Sequence, residues 1–193
     1  LAPDALLGVG VDRMDYTKGI EEKFLAVERV LERFPDLQGR FTFLQIAAPT
    51  RSKIERYQQL ARDVEKLAHR VNERFGRADY RPIVLCQSHR EREDVFRVYR
   101  AADVCYVSSL HDGMNLVAKE FVAARSDGKG VLVLSHFTGA ARELAEALIV
   151  NPYDLDEASA ALAYALRMPL EEQRERMRSL RLLVAEFNVF RWA

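Results

Sequence analysis

VCYVSSLHDGMNLVAKEFVAAR, Val104 to Arg125, is the stretch on which the reading of this chain turns. VCYVS is an unbroken apolar run of the kind found in strands covered on both faces. Asp112 and Gly113 then make a polar turn, and NLVAKEFVAAR has the apolar content of a helix packed on a core. A buried strand that turns directly into a helix is the repeating half of a parallel α/β sheet.

The same alternation runs outward in both directions. Strands are expected at LLGVGV (Leu6–Val11), FTFLQIA (Phe41–Ala47), IVLC (Ile83–Cys86), VLVLS (Val131–Ser135) and LIV (Leu148–Val150). Helices are expected between them. IEEKFLAVERVLERF places Phe24, Val27 and Leu31 on one face, and Lys53 to Phe75 carries a stripe of Ile54, Tyr57, Ala61, Val64, Ala68, Val71 and Phe75. EDVFRVYRAA is a further helix, and two more, over about 154–190, close the chain. The expected fold is therefore a doubly wound parallel α/β sheet, Rossmann-like, in a single domain over residues 1–193.

Composition narrows the function. Of 193 residues, 29 are Lys or Arg and 29 Asp or Glu, so no net charge draws the chain toward nucleic acid or an anionic membrane, and an anion site has to be local. No apolar run approaches the length of a membrane helix. Cys86 and Cys105 both fall in strand-like runs and read as buried thiols in a reducing, cytoplasmic setting. His69, His89, His111 and His136 lack the paired spacing of a zinc site, so no metal ligands are expected. The start at Leu1, almost directly in a strand, suggests a piece of a longer protein.

Doubly wound sheets bind ligands beyond the carboxyl ends of their strands. That rule selects the loops Asp12–Gly19, Gln87–Arg92 and Ser109–Asn115, with the loop after Ser135 on the same rim. In the third loop, Gly113 would permit a turn that other residues resist. The N–H groups of Met114, Asn115, Leu116 and Val117 would then be the free donors of a helix start, an anion site. Glu120, on an apolar face one turn on, needs hydrogen-bond partners that sugar hydroxyls could supply. Asp112 reads equally as a plain helix cap, and Lys119 as a solvated helix residue. In the first loop, Arg13 and Lys18 could clamp a diphosphate or simply pair with Asp12 and Asp15. Gly8 and Gly10 lack the third glycine of a dinucleotide fingerprint, Arg13 standing in its place, and no P-loop is present.

VDRMDYTKGI (Val11–Ile20) and HDGMNLVAKEF (His111–Phe121) together resemble the paired donor-site motifs of the trehalose-6-phosphate synthases, glycosyltransferases built from two Rossmann-like halves. VLVLSHFTGAARELAEALIVNPYD, FLQIAAPTR and RFGRADYRPI are similar to the family as well, so the resemblance spans nearly the whole chain. It implies the C-terminal, donor-binding half of a GT-B glycosyltransferase, the acceptor being held mainly by an N-terminal domain outside this sequence. The closing EFNVFRWA resembles the helix that crosses back toward that domain. The implied reaction moves glucose from UDP-glucose, a co-substrate rather than a cofactor, to glucose-6-phosphate, with retention and release of UDP.

By the resemblance, Arg13 and Lys18 hold the donor diphosphate and Asp112 binds hydroxyls of the transferred glucose, the three forming the catalytic set. Gly113, Met114 and Asn115 face the sugar–phosphate junction, Leu116 and Val117 the phosphates, and Glu120 the ribose. Ile46 and the Gln87–Glu91 loop, with Arg90, lie by the base. CQSHRERED departs from commoner versions of that loop, His111 replaces a frequent arginine, and His136 a frequent glutamate or glutamine; both histidines read as solvated loop residues. A sister transferase joining glucose to another acceptor or coupling cyclitols, a non-catalytic nucleotide-sugar-binding module and a Rossmann oxidoreductase are the rival readings. Acceptor, donor base and homo-oligomerisation stay open.

Overall fold

The computed structural model describes residues 4–186. Six strands form one sheet: β1 (Leu6–Arg13), β2 (Phe41–Ala48), β3 (Ile83–Cys86), β4 (Val104–Val107), β5 (Val131–Ser135) and β6 (Leu148–Val150). Their order is β3-β2-β1-β4-β5-β6, and every neighbouring pair is parallel. The helices are α1 (Ile20–Arg33), α2 (Glu55–Phe75), α3 (Arg92–Ala101), α4 (Leu116–Ala124), α5 (Leu155–Arg167) and α6 (Leu170–Glu186). EFNVFRWA falls, from Phe187 on, outside the described residues.

Alternate residues of each strand point to opposite faces, and this splits the core in two. Val104, Tyr106, Val131 and Val133 pack with α1, α2 and α5 through residues such as Phe24, Val64 and Leu162. Cys105, Val107, Leu132 and Leu134 pack with α3, α4 and α6 through Tyr99, Phe121 and Leu180. Because the chain winds outward from β1 to β3 and then returns to β4, the crevice between β1 and β4 is the switch point at which such sheets bind ligands.

Several expectations need correction. Cys105 is buried, its thiol pushed up to about 12 by burial, but Cys86 is partly exposed at the edge strand β3. Ile54 precedes α2 and is exposed; Leu60 joins Val64, Ala68 and Val71 on the buried face instead. β1, expected to end at Val11, continues to Arg13, so that cation is the last residue of the strand. Among the described residues no helix is long and apolar enough to cross a membrane.

Candidate functional site

A pocket of about 520 Å³ opens at the switch point. Val11, Asp12 and Arg13 form one wall from the end of β1, and Ile46 and Ala48 another from the end of β2. Lys18 enters from the β1–α1 loop, and His89, Arg90 and Val95 from the β3–α3 side. Asp112, Met114, Asn115, Leu116 and Val117 complete it from the loop after β4. The fold thus gathers around one cavity nine of the eleven residues singled out in the sequence. Gly113 and Glu120 are not in its lining.

The β1–α1 loop is held by its own short-range bonds. Asp15 accepts from the Thr17 N–H at 3.1 Å, and Gly19 takes the left-handed conformation (φ 60°) in which the chain swings into α1. A Cβ on Gly19 would stand 2.4 Å from the Ser108 carbonyl oxygen, so both backbone angle and close approach require glycine there. Ser108 Oγ donates to the carbonyls of Lys18 (3.1 Å) and Gly19 (2.7 Å), stitching this loop to the end of β4.

The two loops meet in one ion pair. Lys18 Nζ lies 2.6 Å from Asp112 Oδ2. Burial opposes ionisation of Asp112, but Lys18, the Asn115 amide and the Met114 N–H outweigh it and hold the carboxyl below its ordinary value. Lys18 therefore pairs with Asp112 rather than with Asp12 or Asp15, and Arg13 makes no close ion pair with either, although, against burial, its charge helps hold the Asp15 carboxyl below its ordinary value. Asp12 is bonded to Lys23 and Asp15 to Thr17. Arg13 has no hydrogen-bond or ion-pair partner among the described residues and stands exposed in the pocket wall.

The turn before α4 differs from the expected one. Its left-handed residue is Asn115 (φ 77°), not Gly113, and a Cβ on Gly113 would meet nothing within 4 Å. Asn115 also caps the helix: its Oδ1 accepts from the Ala118 N–H at 3.0 Å while its Nδ2 donates to Asp112 Oδ2 at 3.0 Å. Asp112 is thus an acceptor presented to the pocket rather than the α4 cap. The N–H groups of Leu116 and Val117 have no protein acceptor among the described residues, which leaves a helix start open toward the cavity. Glu120 is half-buried one turn further, with no hydrogen-bond or ion-pair partner among the described residues. Lys119, expected in solvent, instead binds Glu143 at 2.5 Å.

Two residues escaped the sequence reading. Gly139, in the loop after β5, donates its N–H to the Asp112 carbonyl at 3.0 Å, and Ala140 donates to the Met114 carbonyl at 2.8 Å. A Cβ on Gly139 would fall 2.0 Å from the Gly113 carbonyl oxygen, so its lack of a side chain lets one loop buttress the other. A glycine on the rim after β5 was the available signal. The second, a contact rather than a residue, is at Cys86, read only as a buried thiol: Arg90 donates to its sulfur through Nε (3.2 Å) and Nη2 (3.1 Å). Partial burial would raise the Cys86 thiol, but the bonds from Ser88 and Arg90 bring it below its ordinary value. His111 and His136 are exposed, His136 lying against the Phe137 ring with centroids 3.8 Å apart.

Against known families, the description "Glycosyltransferase family 20" matches residues 4–193. The chain belongs to glycosyltransferase family 20. This family 20 chain is 45% identical over 183 residues to a trehalose-6-phosphate synthase of Klebsiella pneumoniae, covering 94% of the chain and 39% of that relative. A solved α,α-trehalose-phosphate synthase (UDP-forming) of Burkholderia xenovorans, in complex with glucose-6-phosphate, superposes with a TM-score of 0.96 at 46% identity. That superposition covers 98% of this chain and 42% of the neighbour. An E. coli structure bound with UDP-2-fluoro glucose gives a TM-score of 0.96 at 41% identity, again over 98% of this chain and 42% of that one. The chain thus spans well under half the length of the relatives it matches, and its sheet is one half of their GT-B fold.

Proposed function

We propose that this chain is the nucleotide-sugar donor half of a retaining glucosyltransferase that carries glucose from UDP-glucose to glucose-6-phosphate, yielding trehalose-6-phosphate and UDP. The observation that carries the reading is the convergence of Arg13, Lys18 and the open start of α4 on one pocket at the switch point. Similarity to a UDP-forming synthase solved with glucose-6-phosphate, and to one bound with UDP-2-fluoro glucose, supports the two substrates.

The chemistry follows from where charge develops. As the bond from the sugar to the diphosphate breaks, the departing UDP gains negative charge. Arg13, Lys18 and the N–H groups of Leu116 and Val117 stabilise that charge without having to reorganise. The Lys18–Asp112 pair marks the junction of the two donor ends: Lys18 faces the diphosphate while Asp112 accepts from glucose hydroxyls. Ile46 and the His89–Arg90 segment border the base, and Glu120 accepts from the ribose. Attack by the acceptor on the face that UDP leaves gives retention without a covalent enzyme intermediate.

The acceptor is positioned mainly by the part of the protein beyond this chain. Orienting two reactants accounts for roughly 7–11 kcal/mol of barrier lowering in favourable cases, so the chain alone is expected to show no transferase turnover. Robust trehalose-6-phosphate formation by the chain alone overturns that division of labour. The donor assignment itself is tested by calorimetric titration with UDP, UDP-glucose, GDP-glucose and NAD. Uridine-nucleotide binding that weakens in Arg13→Ala and Glu120→Ala is the expected result; preference for NAD, or binding indifferent to both substitutions, overturns it.

A further inference from the structure

A ring of buried polar side chains backs the donor pocket and reaches its wall through Asp12. Lys23, at the end of the first turn of α1, is fully buried, and its Nζ donates to Asp12 Oδ2 at 2.7 Å and to Gln45 Oε1 at 3.1 Å. Gln45, also fully buried, closes the ring: its Nε2 donates to the same Asp12 oxygen at 3.0 Å and to the Ile46 carbonyl at 3.0 Å. Space for this ring comes from Gly10, where a Cβ would stand 2.2 Å from Gln45 Oε1 and 2.7 Å from Lys23 Nζ.

Removing an ammonium and a carboxylate from water is costly, and well-packed apolar side chains of the same volume are often as stable or more so. Stability therefore does not account for the ring. Position does. Asp12 immediately precedes Arg13 on β1, Gln45 immediately precedes Ile46 on β2, and Lys23 lies in the first turn of α1, the helix that the Lys18 loop enters through Gly19. Arg13, Ile46 and Lys18 all line the pocket. The Lys23 N–H in addition donates to the Gly19 carbonyl at 3.0 Å, the same oxygen that accepts from Ser108. Three elements that present donor-binding groups are thus tied to one another at the back of the cavity by directional, charge-assisted bonds.

We infer that Lys23, Asp12 and Gln45 are positioning residues for donor binding, fixing the spacing between Arg13 and Lys18 so that both cations reach one diphosphate. The inference rests on the donor-site reading above. Arg13 has no hydrogen bond or close ion pair among the described residues, so its approach is set mainly by the strand end to which it is attached. With the ring intact, that end does not slide relative to α1.

The test replaces both charges together, Asp12→Asn with Lys23→Met, so that no unpaired charge is left buried. This paired variant and the parent chain are each combined with Arg13→Ala, and UDP affinity and thermal unfolding are measured for all four. The expected result is a paired variant that unfolds near the parent temperature and binds UDP on the order of tenfold more weakly. The penalty of Arg13→Ala should also be much smaller in it than in the parent. Parent-level UDP binding by the folded paired variant, or an Arg13→Ala penalty that is the same in both backgrounds, overturns the inference. Should the paired variant not fold, Gln45→Met cuts the ring while keeping the ion pair and is read in the same way. If the parent itself binds no uridine nucleotide, the donor reading fails instead. The ring is then judged by a ligand-free crystal structure of the variant, in which Arg13 and Lys18 must be displaced relative to each other; unmoved positions overturn it.

Discussion

Two of the clefts among the described residues are close in size but differ in what their charges are already doing. One, of about 570 Å³, is bordered by Glu28, Arg29, Glu32, Asp154 and Asp156, where α1 meets the start of α5. The other, of about 520 Å³, is the switch-point pocket. In the first, Glu28 is bonded to Arg70 and Arg74, Glu32 to Arg29 and Arg74, and Asp156 to Arg29. Asp154 accepts from the N–H groups of Asp156 and Glu157 as the cap of α5. In the second, Arg13 and the first two N–H groups of α4 have no protein partner among the described residues. Size does not separate the two clefts; unanswered charge does. A ligand entering the first meets only charges already paired, whereas an anion entering the second meets Arg13 and two open N–H groups beside the Lys18–Asp112 pair.

The largest expected effect breaks or confirms that contrast directly. Arg13→Ala should weaken UDP binding roughly 10- to 100-fold, the equivalent of one or two lost charge-assisted bonds, whereas Arg29→Ala, in the paired cleft, should leave it within about twofold, since surface ion pairs contribute little. Calorimetry on both variants decides it. Equal losses would mean that pairing is no guide to where the nucleotide sits.

Next in size is Asn115. Alanine there loses the cap and is forced into a left-handed backbone, together costing about 2 kcal/mol of stability. Glycine tolerates the backbone angle and should recover most of that loss in thermal unfolding. Neither restores the bond to Asp112, so both should bind UDP-glucose more weakly than UDP relative to the parent. A glycine variant with parent-like discrimination would show that Asp112 needs no second anchor.

How much of this was legible in the sequence depends on the distance over which the cause acts. The alternation of buried strands with helices is local, and it led correctly to the parallel sheet and to the loops that meet at its rim. The pairing of Lys18 with Asp112 was not legible, because 94 residues separate them and only the β1–β4 adjacency brings them together. The burial of Lys23 has no local signal in the helix that carries it; it depends on a missing Cβ at Gly10 and an amide from β2. Gly113 attracted attention because glycine ordinarily marks a turn, yet Asn115, whose short amide tolerates the same region and bonds locally, carries the positive φ. Gly139 is needed for a backbone approach between two loops, which no local pattern announces.

A smaller effect sharpens the comparison at Glu120. A half-buried carboxylate with no hydrogen-bond or ion-pair partner among the described residues is a cost to the free protein, so Glu120→Ala should leave thermal stability unchanged or raise it. The same substitution should weaken UDP binding about five- to tenfold through loss of a hydrogen bond to a charged acceptor. Lost stability with unchanged affinity would place Glu120 among structural residues.

The smallest effect concerns pH. Asp112 carries a folded-state pKa below its ordinary value of 3.8, burial opposing the shift and the bonds from Lys18, Asn115 and the Met114 N–H producing it. A depressed carboxyl stabilises the fold above its unfolded pKa, and that contribution disappears as pH falls through the folded value. The Lys18–Asp112 pair should therefore be fully present at neutral pH and remain so down to about the ordinary carboxylate range, opening only in stronger acid. Lys18→Met removes the principal favourable partner and leaves the burial, so the Asp112 carboxyl should then titrate at higher pH. Carbon-detected NMR titration of both proteins follows that one group. An Asp112 carboxyl that titrates identically in the two would mean that the charge meeting the donor is set by Asn115 and the turn rather than by the cation across the cleft. Lys18 would then act on the diphosphate alone, with no part in setting the charge of Asp112.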